Sequence, residues 1–468
     1  MSDDSKFFLP RRSFLSLGLL LLPRFQLSQD PIRFLPYDRV APVLASNTFD
    51  LPTDLKGSND ARRVAWPRWI QNHDRAIRAR LVRGEEDTLV NFVLFGVSFT
   101  DRPRVVLEPE GTAEGNRLIG ERIQQFIAAL DKPATDRLVL LKNLVTRQGH
   151  SFGTAAEKDR LRQYVSQQVT RYLAEWREYR LAVERSRGGI AASAANTTGL
   201  YKNRGLSVDT DFRPNYAIEQ SLAEAKRRAL LKSVKNVAIV GPGLDFTDKD
   251  SGFDYYPLQT LQPFALIDSL LRLELARPSD LKVSVFDISS QALDHVSRAV
   301  RQGRGNQAYS LQLVLDRGAQ WTTGAVEYWR RLGDRIGVET TPMSAPPQIQ
   351  NVDRRAVQIR PAIVTLLDPQ PLNIVSQYLD APVGERFDLI VATNVFLYYD
   401  RFELALAMLN VESMLNPGGV MLSNDVIEGY SGIRLRSVRD VTVQYTPSEA
   451  DQVRIYSMPT FQPQLAPA

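Results

Sequence analysis

The chain has no cysteine, and this removes disulfides, thiolate metal sites and a cysteine nucleophile together. Histidine is nearly as scarce. His73, His150 and His295 are the only three, and they are scattered, so a three-histidine metal centre would need all of them and no metal is expected. A large excess of one charge is also lacking. Fifty-eight Lys and Arg stand against 53 Asp and Glu, a formal net charge of +5, which without a focused basic patch gives no reason to expect nucleic acid. What remains is an ordinary globular composition, 43% hydrophobic and 24% charged. At 468 residues the chain exceeds one ordinary core, and two domains or one core with large additions are expected.

The N-terminal stretch PRRSFLSLGLLLLP sets Arg11-Arg12 before a short apolar run that ends at Leu22. It resembles a twin-arginine export signal, which would make the source bacterial. The run is too short for a stable membrane span. Residues 1–29 are thus expected to be a signal or a tail. Residues 30–200 read as a mainly helical region. RRVAWPRWIQNHDRAIRARLV carries Val64, Trp66, Trp69, Ile70, Ile77 and Leu81 at amphipathic spacing, with arginines between them. EEDTLVNFVLFGVSF is continuously apolar and reads as buried. NRLIGERIQQFIAAL and DRLVLLKNLV read as further helices. The longest helix is expected from Glu157, with a stripe Leu161, Val165, Val169, Tyr172, Trp176, Tyr179, Val183. RGGIAASAANTTG, 187–199, has small residues and no apolar face and marks the boundary.

From about residue 201 the pattern alternates. Strands are expected at Val237–Val240, Val283–Phe286, Ile363–Leu367, Leu389–Thr393 and Val420–Ser423, with helices between them, including one over NIVSQYL, 373–379. NPGG, 416–419, reads as a turn. DVTVQYT and QVRIYSMP read as an antiparallel hairpin at the sheet edge, and 303–356 as an insertion. The fold class is therefore α/β: a doubly wound, Rossmann-like sheet with an antiparallel C-terminal hairpin, preceded by helices.

Such sheets bind ligands at the carboxyl ends of their strands. There stand Gly241-Pro242-Gly243, Asp287, Asp368, Asn394 and Asn424-Asp425. A dinucleotide would need a third glycine after the turn. Here that stretch reads Leu244, Asp245, Phe246, and a carboxylate at Asp245 would repel a pyrophosphate. S-adenosylmethionine (SAM) has no phosphate and is cationic, so the same carboxylates favour it. Asp287 could accept both ribose hydroxyls, and Asp368 the adenine amine. The competing reading of each aspartate alone is a loop or helix-cap residue. Asp248, Asp250 and Asp254 alternate as in a calcium loop, but Gln259 stands where the closing glutamate is needed. Phe253, Tyr255 and Tyr256 suit a lid or an ordinary packed loop.

VAIVGPGLD, VSVFDIS, IVTLLD, FDLIVATNVFLYYD and LNPGGVMLSND follow the motif order of class I SAM-dependent methyltransferases, which residues 215–468 resemble. FDLIVATNVFLYYD is similar to the chemotaxis-receptor glutamate methyltransferases. The resemblance implies Gly241, Gly243 and Asp245 near the donor's amino-acid end, Asp287 at the ribose, Asp368 at the adenine, and Asn394 beside the methyl group. Tyr398 and Tyr399 would line the acceptor side. Tyr398, Tyr399, Asp400 and Asp425 are candidates for a base or orienter. Ile239 departs from the family's usual acidic position, and the loop from Asp245 to Gln262 is longer than usual.

The expected function is methyl transfer from SAM to an unidentified O- or N-acceptor, a protein carboxylate or a small molecule. A non-catalytic partner-binding protein and, more distantly, an NAD-dependent oxidoreductase are the alternatives. Turnover would require the cytoplasm, where SAM is made, in tension with the export-like N-terminus.

Overall fold

The computed structural model describes residues 31–46, 49–107, 111–132, 135–186, 212–246, 253–347, 349–425, 427 and 429–460. The export-like segment 1–29, the boundary stretch 187–199, and Asp248 and Asp250 lie outside the described residues.

The first half is helical, as its periodicity predicts. After β1 (Ile32–Phe34) come α1 (Tyr37–Ser46), α2 (Asn59–Ala79), α3 (Leu81–Phe95), α4 (Ala113–Ala129), α5 (Asp136–Arg147) and α6 (Ala155–Ser186). Side-chain caps start four of them: Ser58 accepts from Ala61 N, Thr112 from Gly115 N, Thr135 from Leu138 N and Thr154 from Glu157 N. The stripe of α2 buries Trp66, Trp69, Ile70 and Ile77, while Val64 points to solvent. α3 is buried along almost its whole length after Asp87, which explains its unbroken apolar run.

The second half continues with α7 (Arg213–Arg227), β2 (Asn236–Val240), α8 (Gln262–Arg272), β3 (Lys282–Asp287), α9 (Ser290–Arg304), β4 (Tyr309–Asp316) and α10 (Thr323–Arg331). β5 (Gly337–Thr340), β6 (Val352–Ile359), α11 (Pro361–Val364), β7 (Leu367–Pro371), β8 (Gln377–Leu379), β9 (Phe387–Ala392), α12 (Arg401–Met414), β10 (Leu415–Ser423), β11 (Arg436–Gln444) and β12 (Ala450–Ser457) complete it. The main sheet has seven strands in the order β11-β12-β10-β9-β2-β3-β7. β10, β9, β2, β3 and β7 pair in parallel, and β12 runs antiparallel to both β10 and β11. This is the doubly wound α/β sheet with the edge hairpin expected from the sequence. The expected insertion contributes a separate antiparallel sheet, β4-β6-β5.

Both faces of the main sheet are covered. Val237, Ile239, Val283, Val285, Leu389 and Val391 pack on one side with α7 and α8. Ala238, Val240, Phe286, Ile390 and Ala392 pack on the other with α1, α2 and α12. Strands buried on two faces read as continuous apolar runs rather than alternating ones. A third core lies among α3 to α6 and takes in Leu244, Phe246, Leu258 and Ala292 from the second half.

Three local expectations are corrected. Residues 361–364 form the turn of helix α11 rather than a strand. Pro361 sits at its first position, where a fixed φ and a missing N–H suit a helix start, and the strand begins later, at Leu367. Residues 373–379 are a turn followed by β8, which pairs with β1, so no helix forms there. NPGG lies inside β10 as a break in register between Leu415 and Val420, with Gly418 at φ +78°.

Two buried groups tie the helices to the long loop after β2. Arg137 of α5 donates to the carbonyls of Phe246 and Tyr256, and to that of Asp245 at 3.0 Å. Asp254 accepts from Val97 N, Ser98 N and Ser98 Oγ, each at 2.9 Å. Its approach requires a glycine at 96, where a Cβ would lie 2.7 Å from Asp254 Oδ2. Arg137→Met strands these buried carbonyls and is expected to cost on the order of 3 kcal/mol. Urea unfolding checks this: the midpoint should fall with the slope unchanged, whereas an unmoved midpoint would deny Arg137 its role.

Candidate functional site

The sheet reverses its winding between β2 and β9, because the chain leaves β2 toward β3 on one side and returns to β9 on the other. Ligands of open α/β sheets bind outside the carboxyl ends of strands at such a reversal. The turn after β2 is built for close approach. Gly241 and Gly243 have φ of +68° and +67°, which side chains rarely adopt. A Cβ on Gly241 would stand 2.9 Å from Val395 Cγ2, so a larger residue would collide with the loop after β9. Gly241 N also donates to Phe286 O at 2.8 Å, which holds the turn against β3.

Asp287 closes β3 at this edge. It is buried, and its Oδ1 accepts from Ser289 N at 2.7 Å. Burial pushes its carboxyl up to about 6, against the pull of the Ser289 and Ile288 N–H groups. A carboxylate short of donors, next to a backbone turn open to close approach, fits a ligand that brings hydroxyls. From the helical half, Glu85 of α3 reaches the same neighbourhood and accepts from Gln291 Nε2 at 2.9 Å and Arg147 Nη2 at 2.8 Å.

Asn394, after β9, is exposed and left-handed, with φ +57°. Asn424, after β10, holds it: Asn394 N donates to Asn424 Oδ1, and Asn424 Nδ2 donates to Asn394 Oδ1, both at 2.8 Å. Asp425 accepts from Phe396 N at 2.8 Å. Its carboxyl is raised to about 6 by burial, opposed by the N–H groups of Phe396, Val395 and Leu397. It therefore anchors the turn after β9. Thr393 Oγ1 accepts from Gln262 Nε2 at 2.7 Å, which joins that turn to the start of α8.

The structure thus brings Gly241, Gly243, Asp287, Asn394, Asn424 and Asp425 to one edge. Four other sequence candidates are corrected. Asp368 is an exposed residue at the beginning of β7, paired in register with Ser284, because the strand starts at Leu367. The strand's carboxyl end leads instead to Asn373, whose Nδ2 donates to the buried Asp74 of α2. Asp245 turns its carboxylate into its own loop, where it accepts from Tyr256 Oη at 3.0 Å and Gln259 Nε2 at 2.7 Å. Tyr399 is a core residue, and burial raises its phenol far above the ordinary range. Asp400 caps α12 and forms a capping box with Glu403. Tyr398 stays half-buried on the turn Phe396–Tyr398, its carbonyl held by Arg80. Phe253 and Tyr256 are buried, so the described part of the loop is packed in place.

His295 lies in α9 and is committed to another partner. Its Nε2 lies 2.8 Å from Tyr309 Oη, and burial lowers it to about 4. Among the described residues no group of His, Asp and Glu could hold a metal ion.

No protein-family model matches the chain, and no curated protein matches it in sequence. Among solved structures it is similar to the N-methyltransferase NodS from Bradyrhizobium japonicum WM9 in complex with S-adenosyl-L-homocysteine, at 14% identity over 53% of this chain and 90% of that one, with a TM-score of 0.27. It is also similar to magnesium protoporphyrin IX methyltransferase from Synechocystis PCC 6803, at 8% identity over 58% and 84%, TM-score 0.25. The CurJ carbon methyltransferase is similar at 12% identity over 83% and 94%, TM-score 0.25.

The raised carboxyl of Asp287 makes a linkage prediction. Its folded value, about 6, lies above the unfolded value near 4, so the native state holds the extra proton between them. Stability is fullest below that window and declines as pH rises through about 6, by up to about 3 kcal/mol. Asp287→Asn removes the penalty. It should melt above the wild type at pH 8 and level with it near pH 4; equal melting at every pH would contradict the burial argument.

Proposed function

We propose that the protein is a SAM-dependent methyltransferase whose donor lies across the carboxyl ends of β2, β3 and β9. One observation carries this reading: the strand reversal, the two left-handed glycines and the under-donated Asp287 carboxylate meet at one edge. The glycine turn would let the backbone approach the amino-acid end of the donor. Asp287 would accept the vicinal ribose hydroxyls and regain the donors that burial denies it. Asn394 would stand beside the reacting centre, held in place by Asn424. SAM supplies a methyl group on a sulfonium, and the protein's task is to align the acceptor and exclude water. α3 and α5 cover the loop after β2 and serve that exclusion.

The acceptor is an O- or N-nucleophile on a protein or a small molecule. A nicotinamide dinucleotide is the weaker reading, because the buried Phe246 stands where the third glycine would be needed for close helix packing. A non-catalytic binding role is the second reading. Its support is that Tyr399, Asp400 and Asp425 are each committed to structure, which leaves no evident base among them.

Titration calorimetry tests the donor site. The wild type should bind SAM, and Asp287→Ala should weaken binding at least tenfold, about 1.4 kcal/mol. Asp368→Ala should leave it unchanged. Folded protein that does not bind SAM, or Asp287→Ala that binds as well as wild type, would refute the reading.

A further inference from the structure

We infer that the groove between α5 and α9 is a second binding site, one that takes a small zwitterion of the amino-acid or short-peptide class. Its volume is about 640 Å³, within the range of small-molecule sites. Leu140, Leu258 and Ala299 give it an apolar floor, and the exposed Val139 extends this onto one wall. Gly241, Gly243, Asp287, Asn394 and Asn424 do not line it, so it is distinct from the donor edge and stands independently of the methyl-transfer reading.

The charges on the walls are unspent. Asp294 and Arg298 stand one helical turn apart on α9, a spacing that favours an ion pair. Both line the groove, yet neither has an ion-pair partner among the described residues. Asp136, at the start of α5, lines the groove in the same condition. Arg147 differs, because Glu85 holds it at 2.8 Å. The groove therefore offers one available guanidinium and two available carboxylates. A simple anion would meet Asp136 and Asp294, and a simple cation would meet Arg298. A ligand that carries both charges satisfies both signs.

His295 fixes where the anionic end goes. Tyr309 Oη accepts from Thr260 N at 2.8 Å, and burial keeps the phenol protonated. Its proton has one acceptor among the described residues, His295 Nε2 at 2.8 Å. Burial and the nearby Arg298 keep the imidazole neutral against the pull of Asp136. A neutral ring that accepts at Nε2 carries its proton at Nδ1. Nδ1 has no partner among the described residues and is not enclosed, so the groove meets an N–H donor beside Arg298. The carboxylate of the ligand receives both donors. Its ammonium faces Asp136 and Asp294, and its side chain lies on the apolar floor.

Imidazole-nitrogen NMR tests this, because it separates the two neutral tautomers, with the dipeptide glycyl-leucine as the probe. In the wild type the His295 proton should sit on Nδ1, and the dipeptide should shift that nitrogen. N-acetylglycyl-leucine and glycyl-leucinamide, each lacking one charge, should bind about tenfold more weakly. Arg298→Gln should weaken the free dipeptide by a similar factor and remove its advantage over the amide. Asp136→Asn combined with Asp294→Asn should remove its advantage over the acetylated form. All three side chains are exposed, so these variants should keep the fold. S-adenosylhomocysteine should not displace the dipeptide. The inference is overturned if the proton sits on Nε2, if glycyl-leucine leaves His295 unmoved, if the blocked peptides bind as well, or if the variants keep the wild-type preferences. Competition by S-adenosylhomocysteine would place the dipeptide at the donor edge and overturn it too.

Discussion

The roofing of the loop after β2 by the first-half helices is the constraint on which the rest depends. Leu244, Phe246 and Leu258 leave the second half of the chain and complete the core among α3 to α6. That packing buries backbone polar groups, which must then find partners. Arg137 supplies donors for three carbonyls, and Asp254 receives two backbone N–H groups and a hydroxyl. Arg122 does the same within the helical half, donating to the carbonyls of Val93, Gly96, Arg102 and Pro103, and burial lowers it to about 10. Neither half is satisfied without these bonds.

The same burial creates the site. An aspartate at a strand end in water would be an ordinary acid. Asp287 is enclosed, keeps only short-range N–H donors, and is left ready for more. The protein thus holds an unfavourable carboxylate in place, which the hydroxyls of the proposed donor would relieve. Stability given up at a site is a common cost of function. Asp425 shows the same chemistry put to another use: its raised carboxyl gathers the N–H groups of the turn after β9 and so fixes Asn394 and Val395 against the glycine turn.

Much of this was legible in the sequence. The apolar strands, the glycine turn, Asp287 and Asn394 announce themselves because a two-faced buried strand and its terminal polar residue form a local pattern. The edge hairpin and most helices of the first half were legible for the same reason. Asp368 was misplaced because IVTLLD is apolar enough for a strand, while Pro361 starts a helical turn that shifts the strand onward. Tyr399 reads as a site residue beside Asn394, yet the turn Phe396–Tyr398 points it into the core. Asp245 and Asn424 needed three dimensions. The first accepts hydrogen bonds from Tyr256 and Gln259 across the loop, and the second acts on a residue thirty positions away on the neighbouring strand. The sequence places Asn424 at a strand end, and only the adjacency of β9 and β10 shows that it holds Asn394.

The central claim is that Asp287 is a desolvated carboxylate awaiting hydroxyl donors, and a carboxyl-carbon NMR titration of that residue tests it most directly. The account predicts a midpoint near 6 in the free protein and a fall toward the ordinary carboxylate range, near 4, when S-adenosylhomocysteine binds. A midpoint near 4 in the free protein, or one that the ligand leaves unchanged, would contradict it.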